Sequence, residues 1–244
     1  MTETLSRTGP TPMYVQLTNI LRDKIEAGEW SVNEKIPSEN ALNQMYGISR
    51  MTARQVLAQL VNEGLLFRVQ GKGTFVAPRK IATRSPSYKG IREQLEQMGY
   101  QTATELLSEE VIVADRHLSA RLALPEDEPV HKIRRLRTVD GEPISLHESY
   151  IPQRLAPGLF EHDAASQQLC VILEREFDLE MGHIIETLES ASPTNEDAKL
   201  LGVHRSTPLL VLRQEISSPT GQRFEYSKIT FRGDKVRLTF EYDQ

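Results

Sequence analysis

The chain has 244 residues, of which 39% are hydrophobic and 26% charged, with a formal net charge of −5. That length carries one large domain or two modest ones, and the composition excludes the disordered and fibrous classes. One cysteine, Cys170, excludes an intrachain disulfide, and no apolar run approaches the roughly 20 residues of a membrane helix, so a cytoplasmic protein without a membrane partner is expected.

The charge is unevenly spread. Residues 1–78 carry +1, residues 79–90 carry +4 with no acidic residue, and residues 91–244 carry −10. Such asymmetry suits a basic nucleic-acid-facing part joined to an acidic body. Residues 1–11 form a polar tail without the pattern of a secretion signal. Residues 78–88, with two prolines and three basic residues, have the composition of a linker. The expected organisation is therefore a small domain at 12–77 and a larger one at 89–244.

After Pro12, Tyr14, Leu17, Leu21 and Ile25 share one face of a helix that Gly28 stops. A short helix follows, capped by Ser38, with Glu39 at its positive end, Ala41, Leu42 and Met45 inside, and Gly47 at its close. A third helix starts at Ser49, with Ala53, Leu57, Leu60 and Val61 inward and Arg50, Thr52, Arg54 and Gln55 outward. The succession is a helix-turn-helix, in which the start of the second helix reaches base edges. Arginine suits guanine, glutamine suits adenine, and threonine meets thymine or phosphate. A solvated helix face would carry the same residue types.

Two short strands then flank Gln70-Gly71-Lys72-Gly73. Glycines permit a tight tip, and Lys72 between them can enter a minor groove or meet phosphates. Gly-Lys-Gly here lacks the spacing and the following helix of a nucleotide-binding loop.

Beyond residue 88, GIREQLEQMGY (90–100) reads as an amphipathic helix through Ile91, Leu95 and Met98, preceded by Lys89 and Gly90 as an anion-accepting start. A strand covers 105–113 and a short helix covers 118–124. A hairpin turns at Asp140-Gly141, and its alternation places Arg135 and Arg137 on one face. The pair fits either a solvated edge strand or a site for a phosphate or carboxylate. A helix at 167–181, a strand at 183–193, a helix at 194–203 and strands over 208–217 and 223–244 complete an α+β domain with an antiparallel sheet. The six histidines have no metal-ligand spacing, and no nucleophile motif is present, so neither catalytic residues, a metal site nor a cofactor is expected.

The order of these pieces carries a resemblance. PMYVQLTNILRDKIEAGEW, KIPSENALNQMYGISRMTARQVLAQLVNEGLL and RVQGKGTFVAP resemble the winged helix-turn-helix of GntR-family bacterial transcription regulators. RRLRTVDGEPISLHESYIP, LCVILEREFDL, NEDAKLLGV and FEYSKITFRGDKVRLTFEYDQ resemble the UTRA ligand-binding domain of the HutC-like subfamily, whose fold is similar to that of chorismate lyase. The resemblance implies a homodimeric regulator, most often a repressor, bound to pseudo-palindromic duplex operator DNA and released by a small anionic effector. It implies DNA contacts by Ser38, Ser49, Arg50, Thr52, Arg54 and the Gly71–Gly73 tip. Glu39, Gln55 and Gln70 join these from their placement. Asn40 stands where many members have arginine. Effector contacts are implied for Lys89, Gly90, Arg135, Arg137, His147, Glu225 and Phe231. His147 and Phe231 depart from the acid and tyrosine common at those positions, and His147 fits a core residue as well as a ligand contact. The competing expectation is a metabolite-binding protein or lyase-like enzyme with an accessory helical domain.

Overall fold

A hydrophobic center formed by three helices and a hairpin organises the N-terminal unit. In the computed structural model, which describes residues 5–6, 10–78, 80–84 and 91–240, the chain divides into two compact units, Met1–Arg79 and Lys80–Gln244. Helices α1 (Met13–Glu26), α2 (Glu39–Tyr46) and α3 (Arg50–Asn62) precede strands β1 (Leu66–Val69) and β2 (Gly73–Val76). Leu17, Leu21, Ile25, Leu42, Ala53, Val56, Leu57, Leu60 and Leu66 share one core.

Local chemistry sets the helix ends. The Ser38 hydroxyl accepts from the Ala41 N–H at 3.2 Å, and the Ser49 hydroxyl accepts from the Thr52 N–H at 3.0 Å. Gly47 closes α2 at φ +64°, a conformation that glycine adopts without steric cost. Three inward assignments change. Tyr14 is exposed beside the stripe, where Thr18 is buried instead; Met45 is half exposed; and Val56 is a fully buried core residue.

In the C-terminal unit, six strands form one antiparallel sheet in the order β4-β5-β6-β9-β8-β7. They span Thr102–Val113, Pro129–Val139, Glu142–Pro152, Arg223–Arg232, Leu209–Ser217 and His183–Ala191 respectively. The β5–β6 hairpin turns through Asp140 and Gly141, both at positive φ, which matches the twist of the strands. Helices α4 (Ile91–Gln97), α5 (Arg116–Leu122), α6 (Leu169–Phe177) and α7 (Asn195–Leu200) pack around this sheet. Leu169, Ile172 and Leu173 of α6 pack with Ile133 and Ile151. Alternation sends Leu136 and Leu146 to the other face, where they meet Leu201 after α7.

Two expectations are corrected here. The stretch read as linker contains β3 (Ile81–Arg84), and the C-terminal strands do not all join the main sheet. β10 (Val236–Thr239) leaves it and pairs in parallel with β3. Ile81 and Val236 are buried with Leu95, Leu212, Ile229 and Phe231, so this small sheet closes one end of the core. Met98, expected to face inward on the helix after the linker, is half exposed.

Leu42 is the one fully buried side chain contributed by α2. Leu42→Ala is expected to destabilise the N-terminal unit by about 2–5 kcal/mol through the cavity it leaves. Urea unfolding of the full chain should show this unit melting earlier and the C-terminal unit unchanged.

Candidate functional site

Two surfaces gather the residues singled out by sequence. In the N-terminal unit, Arg50, Arg54 and Gln55 stand exposed on the first two turns of α3. The Ser49 and Thr52 hydroxyls lie 2.8 Å apart, so the cap and the first turn hold one another. Met51, 72% exposed, projects from the same turn and was not foreseen. The wing carries Lys72 at its tip, with Gly71 at φ +75° and Gly73 at φ +131°. Phe67 and Phe75 stack across its strands at 5.7 Å and stiffen it.

In the C-terminal unit, one face of the sheet and the start of α6 enclose a cavity of about 90 Å³. Arg135 and Arg137 enter from β5, His147 and Ser149 from β6, Glu225 and Ser227 from β9, and Gln214 from β8. Gln168 and Cys170 close it from α6, which starts without a side-chain cap.

Both arginines are buried, at 6% and 7% exposure, which overturns the solvated-edge alternative. β5 lies between β4 and β6 rather than at an edge. Arg135 Nη2 donates to the Ser149 hydroxyl at 3.2 Å, while its Nε is buried without a partner among the described residues. Arg137 Nε reaches the Thr104 hydroxyl at only 3.5 Å. Among the described residues, neither forms an ion pair within 4 Å.

Burial, reinforced by Arg135 and by Arg92 of α4, pushes Arg137 down to about 9. A guanidinium holds its proton, so this is the signature of an uncompensated buried cation. Burial pushes the Glu225 carboxyl up, opposed by Arg135 and by hydrogen bonding from Ser149. Burial first, then Arg137 and Arg135, holds His147 well below the ordinary histidine range. Its Nε2 lies 2.9 Å from the Ser145 hydroxyl. The cavity thus presents two cations, one acid and a neutral imidazole, with serine, glutamine and cysteine groups around them.

Of the effector residues expected, the structure brings Arg135, Arg137, His147 and Glu225 together. Phe231 does not line the cavity. It is fully buried and packs edge-on against His147, ring centroids 6.4 Å apart. Lys89 and Gly90 lie outside the described residues. Ser149, Gln214 and Ser227 were missed, although the two-residue period from His147 and Glu225 marks Ser149 and Ser227.

Residues 13–76 match the family described as "Bacterial regulatory proteins, gntR family", and residues 97–237 match the UTRA domain. The chain is 31% identical to the HTH-type transcriptional repressor NagR of Bacillus subtilis, covering 98% of each. It is 30% identical to the mannosyl-D-glycerate transport/metabolism system repressor MngR of Escherichia coli, covering 95% of this chain and 96% of the relative. It is also 30% identical to the histidine utilization repressor of Pseudomonas putida, covering 94% and 92%. The crystal structure of PhnF from Mycobacterium smegmatis shares the fold, with TM-score 0.68 at 23% identity over 93% of this chain and 98% of that one.

The depressed His147 gives a signed pH dependence. Below about pH 6.5 the unfolded chain binds a proton that the folded cavity refuses, so stability falls with pH. Unfolding free energies measured at pH 6.5 and 5.5 should show wild type losing about 1 kcal/mol relative to His147→Gln. A difference that does not change with pH contradicts a neutral buried imidazole.

Proposed function

The chain belongs to the UTRA-bearing, HutC-like branch of the gntR family of bacterial regulatory proteins, and from that premise we propose a cytoplasmic repressor that a small anionic metabolite releases from its operator. The carrying observation is the buried pair Arg135 and Arg137, which share a cavity with one carboxylate and form no ion pair among the described residues. Burying a cation costs several kcal/mol unless an opposite charge meets it. A phosphate or carboxylate between the two guanidinium groups supplies that charge and accepts bidentate hydrogen bonds. The start of α6, with its N–H groups at the cavity, adds favourable potential for an anion. Two of the relatives are named for histidine and mannosyl-D-glycerate, compounds that carry a carboxylate.

In this reading, Glu225, Gln214, Ser149 and Ser227 select the uncharged part of the ligand. The Phe231 ring leaves that part without a hydroxyl partner and fixes the position of His147. On the DNA side, Arg50 and Arg54 read base edges, Gln55 and Thr52 assist, and the Lys72 tip meets backbone or minor groove. Two copies of the chain present two recognition helices to the half-sites of a pseudo-palindrome. Effector and operator oppose one another if each binds a different arrangement of the dimer better.

A thermal-shift screen of phosphorylated and carboxylated metabolites identifies the ligand, since a bound ligand raises apparent stability. Arg137→Ala is expected to lower affinity for that ligand at least tenfold while operator affinity without ligand stays within twofold. Retention of the full thermal shift by Arg137→Ala excludes the arginine pair as the anion site.

A further inference from the structure

The groove between α2 and the wing holds two cations that neither the recognition helix nor the wing tip accounts for. Residues 33–36 run beside β2. The Asn33 N–H donates to the Val76 carbonyl, the Val76 N–H to the Glu34 carbonyl, and the Ile36 N–H to the Thr74 carbonyl, at 2.9–3.0 Å. Lys35 forms an isolated antiparallel bridge with Phe75 of β2. Its exposed side chain crosses the end of the hairpin so closely that a Cβ on Gly73 would stand 2.6 Å from Lys35 Cε. Gly73 turns the chain at φ +131°, and the flexible end of the Lys35 side chain lies against it.

Arg68 stands on the other side of the groove. It is exposed on β1, opposite Thr74, and its Nη2 lies 3.6 Å from the Glu39 carboxylate at the first residue of α2. That pair is long and solvated, so it contributes little stability and opens readily to a stronger anion. Lys35, Ser38, Asn40, Arg68, Gln70 and Gly71 line the groove, whose volume is about 420 Å³. Its only acid among the lining residues is Glu39. Asn40 brings no charge, so the positive potential of this groove comes from Lys35 and Arg68. In a chain of net charge −5, a cationic cleft flanking the wing is where an operator's backbone would be met.

We propose that Lys35 and Arg68 form a phosphate clamp in this groove, each neutralising one backbone phosphate of the operator. Arg68 exchanges its Glu39 contact for the phosphate. The clamp carries no base information; it fixes how deeply the α3 start and the wing sit on the duplex. This holds whichever effector the C-terminal cavity takes.

The test uses the full-length protein, a duplex containing the region upstream of its own gene, and a random-sequence duplex of equal length. Binding is measured from 50 to 200 mM salt for wild type, Lys35→Gln, Arg68→Gln and the charge-keeping Lys35→Arg and Arg68→Lys. Each glutamine variant should reduce the slope of log K against log salt by about 0.9, the value for one lost phosphate contact. It should weaken both duplexes by the same factor, and the charge-keeping variants should restore the wild-type slope. Unchanged slopes overturn the clamp. So does a loss confined to the upstream duplex, which would mean base reading, or an equal loss in glutamine and charge-keeping variants, which would mean a folding role.

Discussion

Two guanidinium groups buried on one sheet face constrain the C-terminal unit more than any other feature. Arg135 and Arg137 sit on β5 with a neighbouring strand on each side, so their charges cannot turn to solvent as they would at an edge. The surrounding elements respond to that cost. Glu225 arrives from β9 as a partial counter-charge, Ser149 accepts from Arg135, and His147 is held neutral beside them. The opposite face of the same strands behaves differently. Arg134, Glu148 and Lys228 pair there directly, at 3.2 and 3.1 Å, and need nothing further. One face is electrostatically closed, and on the other the two guanidinium groups form no ion pair among the described residues.

How much of this was legible in the sequence depended on the range of the forces involved. The N-terminal unit is built from local signals. Ser38 and Ser49 cap, Gly28 and Gly47 stop, and Gly71 and Gly73 turn, each within a few residues of the structure it dictates. The errors there, Tyr14 and Met45, fall at the margins of a helical stripe, where a rotation of one position separates core from solvent. The hairpin at Asp140-Gly141 and most strands of the larger unit were equally local. The parallel pairing of β3 with β10 was not, because it joins segments about 155 residues apart and carries no turn signal.

The arginine pair shows the same limit in another form. Strand alternation says that Arg135 and Arg137 share a face, but not which face is covered. Only the position of β5 within the sheet and the packing of α6 decide that. Phe231 follows the same alternation as Glu225 and Ile229, yet it lies two positions beyond the cavity and belongs to the core under His147. Its contact is with the imidazole rather than with the cavity.

In the proposed function, an anion in this cavity and operator DNA on the α3–wing surface compete through the protein. Thermodynamic linkage makes that competition reciprocal: operator must weaken the anion by the factor with which the anion weakens operator. The decisive measurement is the anion's dissociation constant by titration calorimetry, with the protein free and with the protein saturated by operator duplex. The account predicts weaker binding to the operator complex, by a factor equal to the drop in operator affinity at saturating anion. Equal dissociation constants in the two titrations would contradict it.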